Sequence, residues 1–150
     1  MTKTLTKAAE IKVSYHPKNS TNPVIRNSDE AYYHLLRFFP ENTISLNERF
    51  VVGYLNRMNK LIGVYEVSKG GITGTVVDVR LVLSVALKVA ATSVLLAHNH
   101  PSGNLQPSEA DKELTKKIKE ACKLFDISVL DHMILSSEGK YYSFTEEGLL

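Results

Sequence analysis

TSVLLAHNHPSGNLQPSEAD, residues 92–111, is the stretch that decides the fold. Its opening, Thr92 to Ala97, is a short run dominated by apolar side chains, as expected of a strand buried on both faces. Such a strand belongs inside a sheet that has helices packed over it. The run ends in His98-Asn99-His100, and Pro101, Gly103 and Pro107 then mark a turning loop. Ser108 stands where an N-cap is expected, with Glu109 and Asp111 in the first helical turn behind it. The helix it opens, 108–125, carries Leu114, Ile118, Cys122 (or Ala121) and Phe125 at helical spacing, with lysines on the other face.

The same alternation continues outward. ISVLDHMIL (127–135) reads as a strand and KYYSF (140–144) as a last one. Upstream, LVLSVALKVAA (81–91) is apolar nearly all round and reads as a helix buried against the sheet. ITGTVVDV (72–79) reads as extended, because Thr and Val dominate it. ERFVVGYLN (48–56) and LIGVYEVS (61–68) flank the polar turn Arg57–Lys60 and form a hairpin pattern, followed by a Gly70-Gly71 turn. Ser28, with Asp29 and Glu30 after it, opens a first helix through AYYHLLRFF that Pro40 stops. The pattern predicts an α/β (α+β) domain with a single mixed β-sheet and helices on its faces. Ahead of it, EIKVSYH (10–16) alternates like an edge strand open to another chain, and 16–28 reads as loop. The expected division is an N-terminal arm, 1–27, and one domain, 28–150.

Composition limits the function classes. The chain has 150 residues, with 18 Lys+Arg against 16 Asp+Glu and a net charge of +2. That length suits one domain with its own core. The single cysteine, Cys122, excludes an internal disulfide and any zinc site built only from thiolates. No apolar run nears the roughly 20 residues that span a bilayer. The start, MTKTLTKAAEIKV, lacks the apolar core of a secretory signal, so a cytoplasmic setting is expected. The small positive surplus gives little support to nucleic-acid binding.

The chemistry gathers at His98, His100 and Asp111. Residues i and i+2 of an extended chain point to the same side, so both imidazoles can face one point. The loop can fold the start of the next helix back, bringing Asp111 to join them. Two imidazole nitrogens and one carboxylate oxygen are the three ligands a catalytic zinc takes beside a water, whose pKa it lowers to about 7. A general base outside the ligand set is then needed. Glu48, in register with Phe50 and Val52, and Glu66 on the next strand both qualify, and spacing does not choose between them. Ser108 serves as an N-cap and is placed to donate to the oxyanion of a tetrahedral intermediate.

The remaining polar residues read as structural. Asp131 and His132 are adjacent strand residues, so at most one of them can reach the site, and structural support is the favoured reading. Cys122 lies on the apolar helix face and reads as core. His16 and His34 have no partner pattern. Lys112, Lys116, Lys117, Lys119 and Lys123 read as a solvated face diluted by Glu109, Glu113 and Glu120. Phe38 and Phe39 read as core or docking residues at a helix end.

His98-Asn99-His100-Pro101-Ser102-Gly103, then Pro107-Ser108 and Asp111, resembles the JAMM signature of JAB/MPN metalloprotease domains. With Leu130-Asp131-His132 and Tyr141-Tyr142-Ser143-Phe144 downstream, it resembles the bacterial RadC family in particular, over roughly 28–150. The resemblance implies a JAB/MPN core of the cytidine-deaminase-like kind, with zinc (Zn2+) at His98, His100 and Asp111. It also implies a catalytic Glu just after the first helix, a position that falls on Glu48. Related JAMM enzymes cleave peptide or isopeptide bonds, often beside ubiquitin-like tails, so a peptide or protein substrate is implied. RadC proteins carry a DNA-repair label. They typically have a helix-hairpin-helix region before this domain, where this chain shows a short arm, so a nucleic-acid partner is possible but has only weak support. Val79-Arg80-Leu81 replaces the Pro-Arg-Glu often seen in the family, away from the metal motif. The rival reading is a non-catalytic metal-binding module in DNA repair or DNA maintenance. A nuclease or deaminase ranks third, since the Cys-x-x-Cys of zinc deaminases is missing.

Overall fold

A computed structural model describes residues 7–17, 21–71 and 76–150. Its elements run α1 (Ser28–Leu36), β1 (Arg49–Leu55), β2 (Leu61–Lys69), α2 (Val79–Lys88), β3 (Ser93–Asn99), α3 (Glu109–Lys123), β4 (Ser128–Leu135) and β5 (Tyr141–Ser143). The strands form one five-stranded sheet in the order β2-β1-β3-β4-β5. β1 is antiparallel to β2 and β3, β3 is parallel to β4, and β4 is antiparallel to β5, so the sheet is mixed and the fold α+β as expected.

The parallel pair positions the site. A chain leaving β3 must return to the opposite end of the sheet before β4 can run alongside it. α3 makes that return, so its N-terminus lies by the end of β3 that carries the histidines. β3 is the middle strand and is buried throughout, which accounts for its apolar run.

Side-chain alternation splits the core in two. Phe50, Val52, Tyr54, Val94 and Leu96 pack beneath Val82 and Ala86 of α2 and Ile118 and Cys122 of α3. Val51, Leu95, Ala97 and Met133 face the other way, against Ala31 and Leu35 of α1 and against Phe39. Gly53 allows that second layer to close: a Cβ there would lie 2.9 Å from Leu61 Cδ1 and 3.3 Å from Leu35 Cδ2. On the first face, the Tyr54 hydroxyl donates to the Val82 carbonyl at 3.1 Å and ties α2 to the sheet.

Several local expectations are corrected. Asn27, not Ser28, caps α1, because its side chain accepts from the Glu30 backbone N–H while its own backbone is extended. The helix ends at Leu36, and turns carry the chain on so that Phe39 is buried and Phe38 exposed. Of the stretch read as extended, 72–75 lies outside the described residues, and 76–78 forms no strand because Asp78 caps α2. α2 is not buried all round. Only Val82 and Ala86 are buried while Leu81 and Leu87 are exposed, since one face alone meets the sheet. On α3, Thr115 takes a buried place and Phe125 does not, because the helix has already ended at Lys123. Residues 10–16 form no strand, their alternation meeting no partner strand among the described residues, and Ile11 and Val13 are exposed. Farther along, Val24 bridges Lys60 and Ile25 is buried. No described helix is long and apolar enough to cross a membrane.

Candidate metal centre

Strand parity sends His98 to the α3 side of the sheet, along with Val94 and Leu96, and His100 follows two residues on. The first turn of α3 brings Asp111 to meet them. His98 Nε2 lies 3.0 Å from His100 Nε2. Asp111 Oδ1 is 3.3 Å from His98 Nε2, and Asp111 Oδ2 is 3.3 Å from His100 Nε2. One ligand atom from each residue falls within 4.8 Å of the others, the only such group among the described residues. His98 is buried, whereas His100 and Asp111 open onto a cleft of about 1030 Å³ that Glu48 and Ser108 also line.

The chain fixes each group locally. Ser108 and Asp111 form a capping box: Ser108 Oγ accepts from the Asp111 N–H at 3.1 Å, and Asp111 Oδ2 accepts from the Ser108 N–H at 2.8 Å. The helix start thereby aims the carboxylate at the imidazoles. His100 Nδ1 lies 2.6 Å from the Asn104 carbonyl. A carbonyl only accepts, so Nδ1 carries the hydrogen and the neutral ring turns its Nε2 lone pair toward Asp111. A lone-pair nitrogen and a carboxylate facing one point suit a divalent cation. With His98 the set matches a zinc site that keeps a fourth position open.

The electrostatics follow from this packing. Burial works to raise the Asp111 pKa, but the His100 and His98 rings, when protonated, and the Ser108 N–H outweigh it and hold the carboxyl well below the usual range. Asp111 in turn raises the His100 pKa. Partial burial raises the pKa of Glu48, partly offset by the two imidazoles, which makes it a better proton acceptor than an exposed glutamate.

The structure brings Glu48 to the cleft and not Glu66. Glu66 is exposed on β2 and paired with Arg49. Glu48 sits just before β1, its backbone bonded to Gly70 and Gly71. Asn99, which the sequence presents as a spacer between histidines, holds that segment in place. Its amide donates to the carbonyls of Ile44 at 2.7 Å and Asn47 at 2.9 Å, and its oxygen accepts from the Arg49 N–H at 2.8 Å.

His132 also departs from expectation. It reaches the site: its Nε2 lies 2.8 Å from His98 Nδ1 and its Nδ1 lies 2.6 Å from Thr115 Oγ1. Its ring stacks on Phe144, and burial pushes its pKa well below the ordinary histidine value. Asp131 points to the opposite face, where it accepts from the Ser143 hydroxyl and the Thr145 N–H. Only the parallel register, which sets Leu96 beside His132, reveals this pairing. Cys122 is buried in the core, and Lys116, Lys117, Lys119 and Lys123 are exposed.

Two imidazoles and a carboxylate meet at a strand-to-helix junction, beside a cleft that Glu48 also lines. The family model of the RadC-like JAB domain matches residues 25–149, and the chain belongs to that family. The UPF0758 protein of Flavobacterium johnsoniae is 54% identical over 103 residues, which are 69% of this chain and 44% of that protein. The UPF0758 protein YfjY of Escherichia coli K12 is 46% identical over 103 residues, 69% of this chain and 64% of its own. A UPF0758 protein of Chlorobium phaeovibrioides is 32% identical over 146 residues, 97% of this chain and 64% of its own. The chain spans about half the length of the curated relatives it matches first.

Proposed function

We propose that this domain is a zinc-dependent hydrolase of amide bonds, peptide or isopeptide, in a protein substrate. The observation that carries the reading is the shared cleft: Glu48 lines the same space as His100 and Asp111. His98, His100 and Asp111 hold the ion. When bound, zinc polarises a carbonyl and lowers the pKa of a water to about 7. Glu48 accepts a proton from the attacking water as the new C–O bond forms. It then returns that proton to the leaving nitrogen as the C–N bond breaks, giving one carboxyl and one amine. Ser108 Oγ already accepts the Asp111 N–H, so its own hydrogen is free to donate to the oxyanion.

The test uses zinc content and hydrolysis together. Purified protein is expected to hold one zinc per chain, and His98→Ala to lose it. Glu48→Gln is expected to keep fold and zinc while hydrolysis of a peptide and isopeptide library falls by about 100-fold or more. Protein without stoichiometric zinc overturns the metal site. Zinc-loaded protein that is inactive on every library member and binds DNA in a salt-sensitive way favours the DNA-maintenance module instead.

A further inference from the structure

We infer that Thr115 and His132 form an ordered hydrogen-bond relay that fixes the tautomer of His98 and turns its Nε2 lone pair toward the cation site. The inference rests on reading that site as a metal centre. Its logic starts from a single hydrogen. The Thr115 hydroxyl makes two contacts of 2.6 Å, one to the Asp111 backbone carbonyl and one to His132 Nδ1. A hydroxyl has one hydrogen to give, and a carbonyl can only accept. The hydrogen therefore goes to Asp111, an ordinary bond from a helical threonine to the residue four before it. Thr115 Oγ1 must then accept from His132 Nδ1–H.

The next link follows. His132 is fully buried between Phe50 and Phe144, where a second ring proton would leave a buried charge. With its one hydrogen on Nδ1, Nε2 carries a lone pair. That lone pair lies 2.8 Å from His98 Nδ1, so His98 Nδ1 is the protonated nitrogen. The remaining lone pair of His98 sits on Nε2, the atom nearest Asp111 and His100. The relay thus links the backbone of one candidate ligand, Asp111, to the ring of another, His98, through two residues that touch no ion themselves. Both are positioning residues.

The direct test is long-range proton–nitrogen NMR of the imidazoles in ¹⁵N-labelled, metal-free wild-type protein near neutral pH. His98 and His132 are both expected to carry Nδ1–H, and a ring whose Nδ1 lacks its hydrogen overturns the relay. Thr115→Val removes the acceptor for His132 and is expected to switch both rings and weaken zinc binding by about 10–100-fold, read by chelator competition. Thr115→Ser keeps the hydroxyl and is expected to restore both the ring signals and the affinity. Equal weakening by Val and Ser assigns Thr115 to packing and overturns the proposal, as does Val with unchanged rings. Wild-type protein that takes up no zinc overturns the metal reading, while the ring signals still decide the relay.

Discussion

Asn99 sits between two candidate ligands yet faces away from both. Its three hydrogen bonds satisfy backbone groups of Ile44, Asn47 and Arg49, the first buried and the others half-buried, so the segment bearing Glu48 is fastened to the strand bearing His98. Asn99→Ala is expected to lower stability by about 3 kcal/mol, because it strands a donor and two acceptors in the interior. Urea unfolding reads this loss, and zinc content is expected to hold. Nothing local in the sequence announces the role. The partners of Asn99 lie some fifty positions upstream, and periodicity carries no information at that range. His132 was hidden for the same reason, since its link to His98 depends on strand register rather than spacing.

At the scale of the element, α3 shows what a sequence displays openly. Its cap, its first-turn acids and the buried Ile118 and Cys122 follow from local rules and recur in the structure. Phe125 fails only because the helix stops before its turn comes round. The α1 cap shifted by one residue because Asn27 and Ser28 are both good caps and only backbone geometry separates them. Burial pushes the Cys122 thiol up to about 11. An unfolded thiol titrates near 8.5, so between these values the folded chain binds more protons than the unfolded one. Stability is therefore expected to fall as pH rises from about 9 to about 11, by up to about 2–3 kcal/mol from this group. Comparing wild type with Cys122→Ala across that window checks it. The stability difference between them should shrink as pH rises, and a constant difference would show that the thiol is not shielded.

For the molecule as a whole, the candidate ligands and the facing glutamate had unequal legibility. His98, His100 and Asp111 lie within one strand-loop-helix unit, and their convergence follows from the loop and the cap. Glu48 joins them because β1 is the neighbour of β3, a fact of sheet order that hydropathy does not encode. Family likeness points to Glu48 rather than Glu66, and of the two only Glu48 lines the cleft. Zinc that binds only the folded chain adds about 2.7 kcal/mol at 100 times its Kd. In a domain of this size that is a rise of about 5–10 °C in Tm. Calorimetry with and without zinc is expected to show this for wild type and not for His98→Ala, with a chelator reversing it.

β3 has a paired strand on each side along its length, so it offers solvent no open edge. Its amide hydrogens are expected to exchange only when the sheet itself comes apart. The imidazole of His98 is thus mounted on the most durable part of the molecule, whereas His100 and Asp111 sit on a surface loop and a helix end. An ion leaving the folded protein would be let go from that outer side, like a clasp opening against a fixed post.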